Sequence, residues 1–260
     1  MEAVDDDTAK RRWEKEQALI GLARDTPDEE FARGGLAALA VYPTVRIVVL
    51  PGDPSSQAMP AQEPTTVVPK VITLPDGRQF PYHGAVRGTS SGYVGYTTGD
   101  DGRWQNFAAL HWHGGVDFFL GTEGGRDWEY PSGSRGRVYF LQKCVGRAWA
   151  AFDLQRRMAE QFEIAGPFRA ILAIANTTGA VLGYLGAGWP EPGSASLFGQ
   201  PNAIEPRVLL VEDLDEWPDE KGVKELALRF GARVDLVFGG PGERHLDHAG
   251  PEAGRFNPRW

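Results

Sequence analysis

The most regular pattern of apolar and polar positions in the chain runs from residue 138 to residue 185. In its first part, apolar residues recur every three or four positions, as along one face of an α-helix: Leu141, Val145, Ala148, Trp149, Phe152, Ala159 and Phe162. Gly166-Pro167 is expected to end this helix, because glycine permits a turn and proline cannot continue a helix. The apolar runs 168–174 and 180–185, separated by turn residues 176–179, then predict a β-hairpin. The pattern as a whole predicts a long central helix laid over a hairpin.

Shorter apolar runs cover the chain from Val71 to Phe119. They occupy positions 71–74, 93–96, 107–113 and 116–120. Turn residues separate them, among them Gly114-Gly115. Strands at such short spacing predict an antiparallel meander. Residues 121–136 are expected to form a glycine-rich loop that leads into the long helix.

Further patterns flank this region. Strand-like runs lie at residues 36–42, 45–50, 208–211 and 234–238. A helix is predicted from Pro218 to Phe230, with Gly231 as its C-terminal stop. The predicted fold class is α+β: an antiparallel β meander or sheet packed by a long central helix and a C-terminal helix.

Three regions are expected along the chain. Residues 1–34 form an N-terminal helical extension, residues 35–240 a single α+β domain, and residues 241–260 a flexible C-terminal tail. Within the domain, residues 51–69 are rich in proline, serine, glutamine and threonine and have no periodicity, which predicts a loop.

The net charge of −8 argues against one broad class of partner. The acidic excess lies in the two ends of the chain and no segment is basic, so direct binding to nucleic acid is not expected. Cys144 is the only cysteine, which excludes an internal disulfide and fits a reducing cytoplasm. The N-terminus has no signal-peptide pattern, and no apolar run approaches the ~20 residues that span a bilayer. We therefore expect a soluble, cytoplasmic protein without membrane contact.

The placement of histidines suggests one candidate metal site. His111 and His113 are two residues apart in a predicted strand, so their side chains share a face, and Asp117 follows across the glycine turn. His245 and His248 lie near the C-terminus and would complete a divalent-metal site if the two segments met. The alternative is a pair of half-buried strand histidines and a polar tail, because no HExxH motif or cysteine pair supports the metal. No other cofactor is predicted.

A second set of candidates is aromatic and cationic. Arg87 lies in a glycine-rich segment that suits an anion-binding nest. Trp104, Trp112 and Trp128 bracket the meander and are candidates to line a ligand pocket or a protein interface, where aromatic side chains dominate the energetics. Ordinary core packing is the alternative for all three tryptophans.

One order of elements has a familiar counterpart. A short run ending in Tyr42-Pro43, a β meander, a long helix, the stretch 162–167 leading into strand 168–174, and a helix ending in Phe230-Gly231 follow one another. This order resembles the region after the AlbA-like DNA-binding domain in bacterial, mostly actinobacterial, Schlafen-type proteins, over residues 36–232. In that family the AlbA-like domain lies upstream, and because only about 35 residues precede the match here, we expect that domain to be absent. The resemblance therefore implies an accessory module, and no catalytic residue is carried over.

Three functional hypotheses follow. The first is a non-enzymatic cytoplasmic binding or sensor module, linked by the resemblance to nucleic-acid transactions or phage defence through a partner chain. The second is a small metal-dependent hydrolase that uses the histidines and Asp117. The third is a structural homodimer that uses the N-terminal helix. A protein partner or homo-oligomer is expected in the first and third.

Overall fold

The structure, a computed structural model, describes residues 44–52, 58–59, 71–73, 79–81, 87–89, 92–98, 104–120, 125–129, 135–175, 177, 179–183 and 207–239. The strands are β1 (Thr44–Pro51), β2 (Val71–Thr73), β3 (Gln79–Pro81), β4 (Arg87–Thr89), β5 (Gly92–Thr98), β6 (Trp104–His111), β7 (Val116–Leu120), β8 (Gly125–Glu129), β9 (Arg135–Phe140), β10 (Phe168–Ala175), β11 (Val181–Gly183) and β12 (Arg207–Leu214). The helices are α1 (Leu141–Phe162) and α2 (Glu220–Val237).

A seven-stranded sheet dominates the described part of the chain. Its strand order is β12-β10-β1-β7-β6-β5-β4, and every neighbouring pair is antiparallel. Strands β5, β6 and β7, which contain the predicted runs from residue 93 to residue 120, follow one another in the chain and in the sheet, so this part of the predicted meander is confirmed. The predicted run 71–74 does not belong to it, because residues 71–73 form β2, which pairs with β3 in a separate sheet. A three-stranded sheet (β11-β9-β8) and a two-stranded sheet (β2-β3) accompany it. The α+β class is likewise confirmed.

The main core lies between one face of the large sheet and the two helices. Ile47, Phe118 and Leu172 from three neighbouring strands belong to the same buried cluster as Phe152 of α1 and Phe230 of α2. The rings of Phe152 and Phe230 are 5.5 Å apart, which fixes α2 beside α1. Because side chains alternate along a strand, the intervening residues form the opposite face of the sheet.

The opposite face is buried as well. One apolar cluster there contains Val48, Leu50 and Ile171, and a second contains Val94, Tyr96, Phe107, Ala109 and Phe119. Central strands buried on both faces explain why the runs 45–50 and 168–174 are almost continuously apolar. Between these two clusters lie the charged residues described below.

The predicted hairpin between residues 168 and 185 is wrong. Strand β10 pairs with β1 and β12, while residues 181–183 form β11, which pairs in parallel with β9. Apolarity on both faces gives β10 a central position with two long neighbours, and a nearby turn does not outweigh that pairing. Local turn chemistry therefore misidentified the partner strand.

Three boundaries also differ from the prediction. The long helix begins at Leu141, because residues 135–140 form β9, and the loop expected at 121–136 contains β8. The helix ends at Phe162, where Glu163 adopts a left-handed backbone conformation (φ 53°) ahead of the predicted stop. Helix α2 continues through Gly231 to Val237, so the strand expected at 234–238 is wrong; buried Phe230 and Val234 continue the helical spacing.

Other predictions fall on residues outside the description. These are the N-terminal extension, the strand at 36–42, most of the proline-rich loop and the C-terminal tail. Neither of the two described helices is long and apolar enough to cross a lipid bilayer.

Candidate functional site

A buried group of ionisable side chains lies in the middle of the large sheet, on the face turned away from α1. Arg46 comes from β1, Asp117 from β7 and His111 from the last position of β6. In register, Val48 of β1 and Ala109 of β6 flank Asp117 on either side. Adjacent positions of the same strands, such as Ile47, point into the helix-facing core. Strand alternation alone therefore brings the three polar residues to one face.

Arg46 binds the Asp117 carboxylate through one edge of its guanidinium, with two hydrogen bonds. Its Nε donates to Oδ1 at 2.9 Å and its Nη2 donates to Oδ2 at 2.5 Å. Asp117 is fully buried and Arg46 is 8% exposed. Burial alone would raise the pKa of Asp117, but the Arg46 charge and hydrogen bonds, with a smaller contribution from His111, hold that pKa well below its usual range. Asp117 is therefore ionised at neutral pH.

Two histidines stack beside this pair. The rings of His111 and His113 are 5.1 Å apart and nearly parallel, with an interplanar angle of 11°. His111 Nε2 lies 4.0 Å from Asp117 Oδ2. The Gly115 backbone N–H donates to Nδ1 of His113 at 3.2 Å. Burial and, secondarily, the neighbouring His111 lower the pKa of His113 to about 4, so at neutral pH His113 is neutral and carries its proton on Nε2.

The turn between β6 and β7 explains the Gly114-Gly115 pair. Gly114 has a φ of +84°, which disfavours any side chain, and a Cβ there would lie 2.5 Å from Ile164 Cδ1. A Cβ on Gly115 would lie 2.5 Å from both the Val49 carbonyl oxygen and His113 Cε1. The absence of two side chains lets the His113 ring and the β1 backbone approach the turn.

The same turn is held from two other directions. Gln155 on α1 is fully buried, and its Nε2 donates to the Gly114 carbonyl oxygen at 2.9 Å. The backbone N–H groups of Ala58 and Met59 donate to the Trp112 carbonyl oxygen at 2.8 and 3.0 Å. The loop that carries His113 is thus fixed to α1 and to the segment after β1.

Sequence reasoning missed both Arg46 and Gln155. Each had a signal: Arg46 is a single charge inside an apolar strand, as Asp117 is in its own strand. Gln155 lies on the apolar stripe of α1, three residues after Phe152 and four before Ala159. An isolated polar residue on a buried surface requires a partner, but its position in the chain does not reveal which one.

The structure brings together three of the five predicted metal ligands, and in an arrangement that does not suit a shared ion. Asp117 uses both oxygens on Arg46. A histidine ligand donates a lone pair in its ring plane, so the stacked rings of His111 and His113 do not point at one common position. Within the described ranges, no group of three or more His, Cys, Asp or Glu side chains is arranged to hold a metal. His245 and His248 lie outside them.

The four residues predicted to contact a ligand lie in different parts of the fold. Trp112 is half-buried and packs against the helix-facing core, where Tyr93 meets its ring edge-on at 4.9 Å. Trp104 begins β6, so its backbone is roughly 26 Å along the strand from that of Trp112. Trp128 lies in β8 of the three-stranded sheet, and Arg87 lies in β4 opposite Val94. Trp112 shares the turn between β6 and β7 with His113, and the backbones of the other three lie in other strands or at the far end of β6.

Other reactive groups in the fold are engaged internally. Burial raises the pKa of the Cys144 thiol to about 12, so it behaves as a small apolar residue. Asp153 on α1 accepts hydrogen bonds from both Arg156 and Arg157. In the acidic stretch before α2, Asp213 pairs with Arg169, Glu212 pairs with Arg229, and Asp219 caps the helix.

Comparison with protein-family models, curated proteins and solved structures finds no significant match for this chain.

Proposed function

We propose that this chain is a non-enzymatic binding or sensor module of the cytoplasm that recognises a protein or a small ligand. The observation that carries the proposal is the bidentate contact of Arg46 with Asp117. A general base needs a pKa near the working pH, and a metal ligand needs room for the ion beside its oxygens. Asp117 is fully buried, and Arg46 holds its pKa well below the usual range while fastening β1 to β7, which favours a structural role for the acid.

The surface that suits recognition is the tip of the β6–β7 hairpin. Trp112 and His113 are half-buried there, backed by Tyr93 and by the fixed turn. Tryptophan and tyrosine are enriched among the residues that dominate binding energies. A rigid support also lowers the entropy lost when such side chains are immobilised by a ligand.

The biological setting is proposed from the Schlafen-type resemblance. Its support is the succession of a long helix ending at Phe162 and a central strand beginning at Phe168, which the structure contains. On this proposal the chain is an accessory part, and a partner chain supplies the contact with nucleic acid in such transactions or in phage defence. The acidic charge of the chain is consistent with that division of labour.

A metal-dependent hydrolase is the second candidate, because His111, His113 and Asp117 do converge. Metal analysis separates the two functions. The purified chain is dialysed against zinc and then manganese, freed of unbound ions, and its metal content is measured for wild type and His111→Ala. We expect far less than one ion per chain in both proteins. One ion per wild-type chain that is lost in His111→Ala would overturn the non-enzymatic proposal.

The binding surface has its own test. Proteins cross-linked to the chain in its host cells are compared for wild type, Trp112→Ala and Trp149→Ala. Trp149 is the matched control, because it is also half-buried but lies on α1 under Lys224. Loss of a partner in Trp112→Ala alone supports the hairpin tip. Equal capture by all three proteins contradicts it.

A further inference from the structure

Strand β12 is the last strand of the large sheet among the described residues. The direction of its backbone groups follows from the hairpin at the other end of the sheet. The His111 backbone N–H donates to the Gly115 carbonyl oxygen at 2.9 Å, so the odd-numbered residues of β7 point their backbone N–H and C=O groups toward β6. In antiparallel strands this direction alternates from residue to residue, and the registers of β7 with β1, β1 with β10 and β10 with β12 carry it to β12. The backbone N–H and C=O groups of even-numbered β12 residues such as Leu210 point toward β10. Those of the odd-numbered residues Leu209 and Val211 therefore point away from the sheet. Arg233 Nη1, 3.3 Å from the Val211 carbonyl oxygen, agrees with this direction.

This outer edge is flanked by exposed apolar side chains. Leu209 on β12 is 38% exposed and Leu236 on α2 is 58% exposed, and these are the exposed large apolar residues of the described chain. Leu236 shares a helix face with Arg229 and Arg233, which donate hydrogen bonds to β12. Apolar surface therefore lies on both sides of a strand edge that has no neighbouring strand within the described part of the chain.

We propose that β12 pairs with β12 of a second copy of this chain, antiparallel and about a two-fold axis at Leu210. In this register Leu209 lies opposite Val211 of the other copy, and Arg207 lies opposite Asp213, whose carboxylate also accepts hydrogen bonds from Arg169 of its own chain. The outward sequence Arg207, Leu209, Val211, Asp213 is thus complementary to itself, with charges of opposite sign at both ends. About eight backbone hydrogen bonds would form, because all four residues point their backbone groups outward.

The neighbouring registers are less favourable. A shift of the axis to Val211 sets Leu209 opposite Asp213, and a shift to Leu209 sets Arg207 opposite Val211. Both place a charge against an aliphatic side chain, whereas the register centred on Leu210 matches every outward residue. The composition of the strand thus selects one symmetric partner, a second copy.

Arg233 regulates access to this edge. In the single chain its guanidinium donates a hydrogen bond to the Val211 carbonyl oxygen. In the proposed dimer the same oxygen accepts from the backbone N–H of Leu209 of the second copy. Arginine is long, and the Arg233 guanidinium also lies 5.7 Å from the centroid of the Phe230 ring, so that contact can hold it after it leaves the oxygen. Dimerisation therefore competes with an internal hydrogen bond.

Sedimentation equilibrium on the full chain tests the proposal across a wide concentration range. We expect a monomer–dimer equilibrium whose dissociation constant rises at least about tenfold in Leu209→Lys and falls in Arg233→Ala. Leu209 is exposed, so Leu209→Lys should fold normally, as checked by circular dichroism. Wild type and Arg233→Ala that are both monomeric throughout, or a dimer indifferent to Leu209→Lys, would overturn it.

Disulfide trapping tests the register. Under mild oxidation, the double variant Leu209→Cys/Val211→Cys should form covalent dimers, because each new cysteine lies opposite the other kind in the second copy. Leu209→Cys alone should not, since its opposite residue remains valine. The native Cys144 is buried and does not interfere. Equal trapping of single and double variants would contradict this register.

Discussion

At the residue scale, the central fact is a charge pair placed where a sheet has no access to bulk water. Asp117 is fully buried, and Arg46 supplies its compensating charge. Such a pair is weak evidence for net stability, because desolvating two ions costs about as much as their attraction returns. Its effect is strongly asymmetric, however, since removing one partner leaves the other charge buried alone.

Arg46→Met should therefore lower the free energy of unfolding more than replacing both charged residues does. We expect the single variant to lose about 3–5 kcal/mol of unfolding free energy, and Arg46→Met/Asp117→Leu to lose clearly less. Urea denaturation at neutral pH measures both. If the double variant is at least as unstable as the single one, the isolated carboxylate is not the source of the loss.

The stacked histidines give a pH dependence with a defined sign. The pKa of His113 is about 4 in the fold, against about 6.5 in an unfolded chain. Between these values the unfolded chain takes up the proton and the folded chain does not, so stability falls as pH decreases from 6.5 to 4, by at most roughly 3 kcal/mol.

His113→Asn should remove this part of the acid sensitivity. Asparagine keeps an acceptor for the Gly115 N–H but does not titrate. Unfolding free energies measured at half-unit pH steps would show a flatter profile between pH 4 and 6.5. A profile as steep as that of wild type would assign the slope to other groups.

At the element scale, helix α2 begins at Glu220, two residues after the predicted start at Pro218, with Asp219 as its N-cap. Asp219 Oδ1 accepts the Gly222 backbone N–H at 2.8 Å, as an N-cap does. Asp219→Ala should cost about 1 kcal/mol in thermal or urea unfolding, and Asp219→Asn only a few tenths, because asparagine keeps the acceptor. Equal losses in the two variants would mean that the charge near the helix dipole, and not the hydrogen bond, is what stabilises the start.

Elements with a local signal were predictable. Periodicity located α1 and the strands of the meander, and the Gly114-Gly115 turn was predicted where backbone approach requires it. Pairing between distant elements was not, because β10 selects β1 and β12 through apolarity on both faces, not through a neighbouring turn. The candidate site follows the same division. Sequence brought His111, His113 and Asp117 together through one hairpin, but Arg46 is 71 positions from Asp117 and is reached only through sheet order.

At the scale of the whole molecule, one side chain joins elements that the chain order keeps apart. Trp217 lies in the connection between β12 and α2. Its Nε1 donates to the Phe152 carbonyl oxygen of α1 at 3.0 Å, and its ring packs edge-on against Phe152 and against Phe168 of β10. Sheet, long helix and C-terminal helix thus share one core.

A shared core should unfold in one step, and Trp217 provides the test. Trp217→Ala should lower the unfolding free energy by about 2–4 kcal/mol, less than for a fully buried tryptophan because this one is half-buried. Trp217→Phe should recover most of it, since an aromatic ring remains and one hydrogen bond is lost. Helical circular dichroism and hydrogen exchange of β10 amides should change at the same urea concentration in all three proteins. If helicity is lost first in Trp217→Ala, α2 is a separate folding unit that this residue holds to the sheet. The β12 edge beside α2 would then be exposed by local unfolding of the helix as well as by the movement of Arg233.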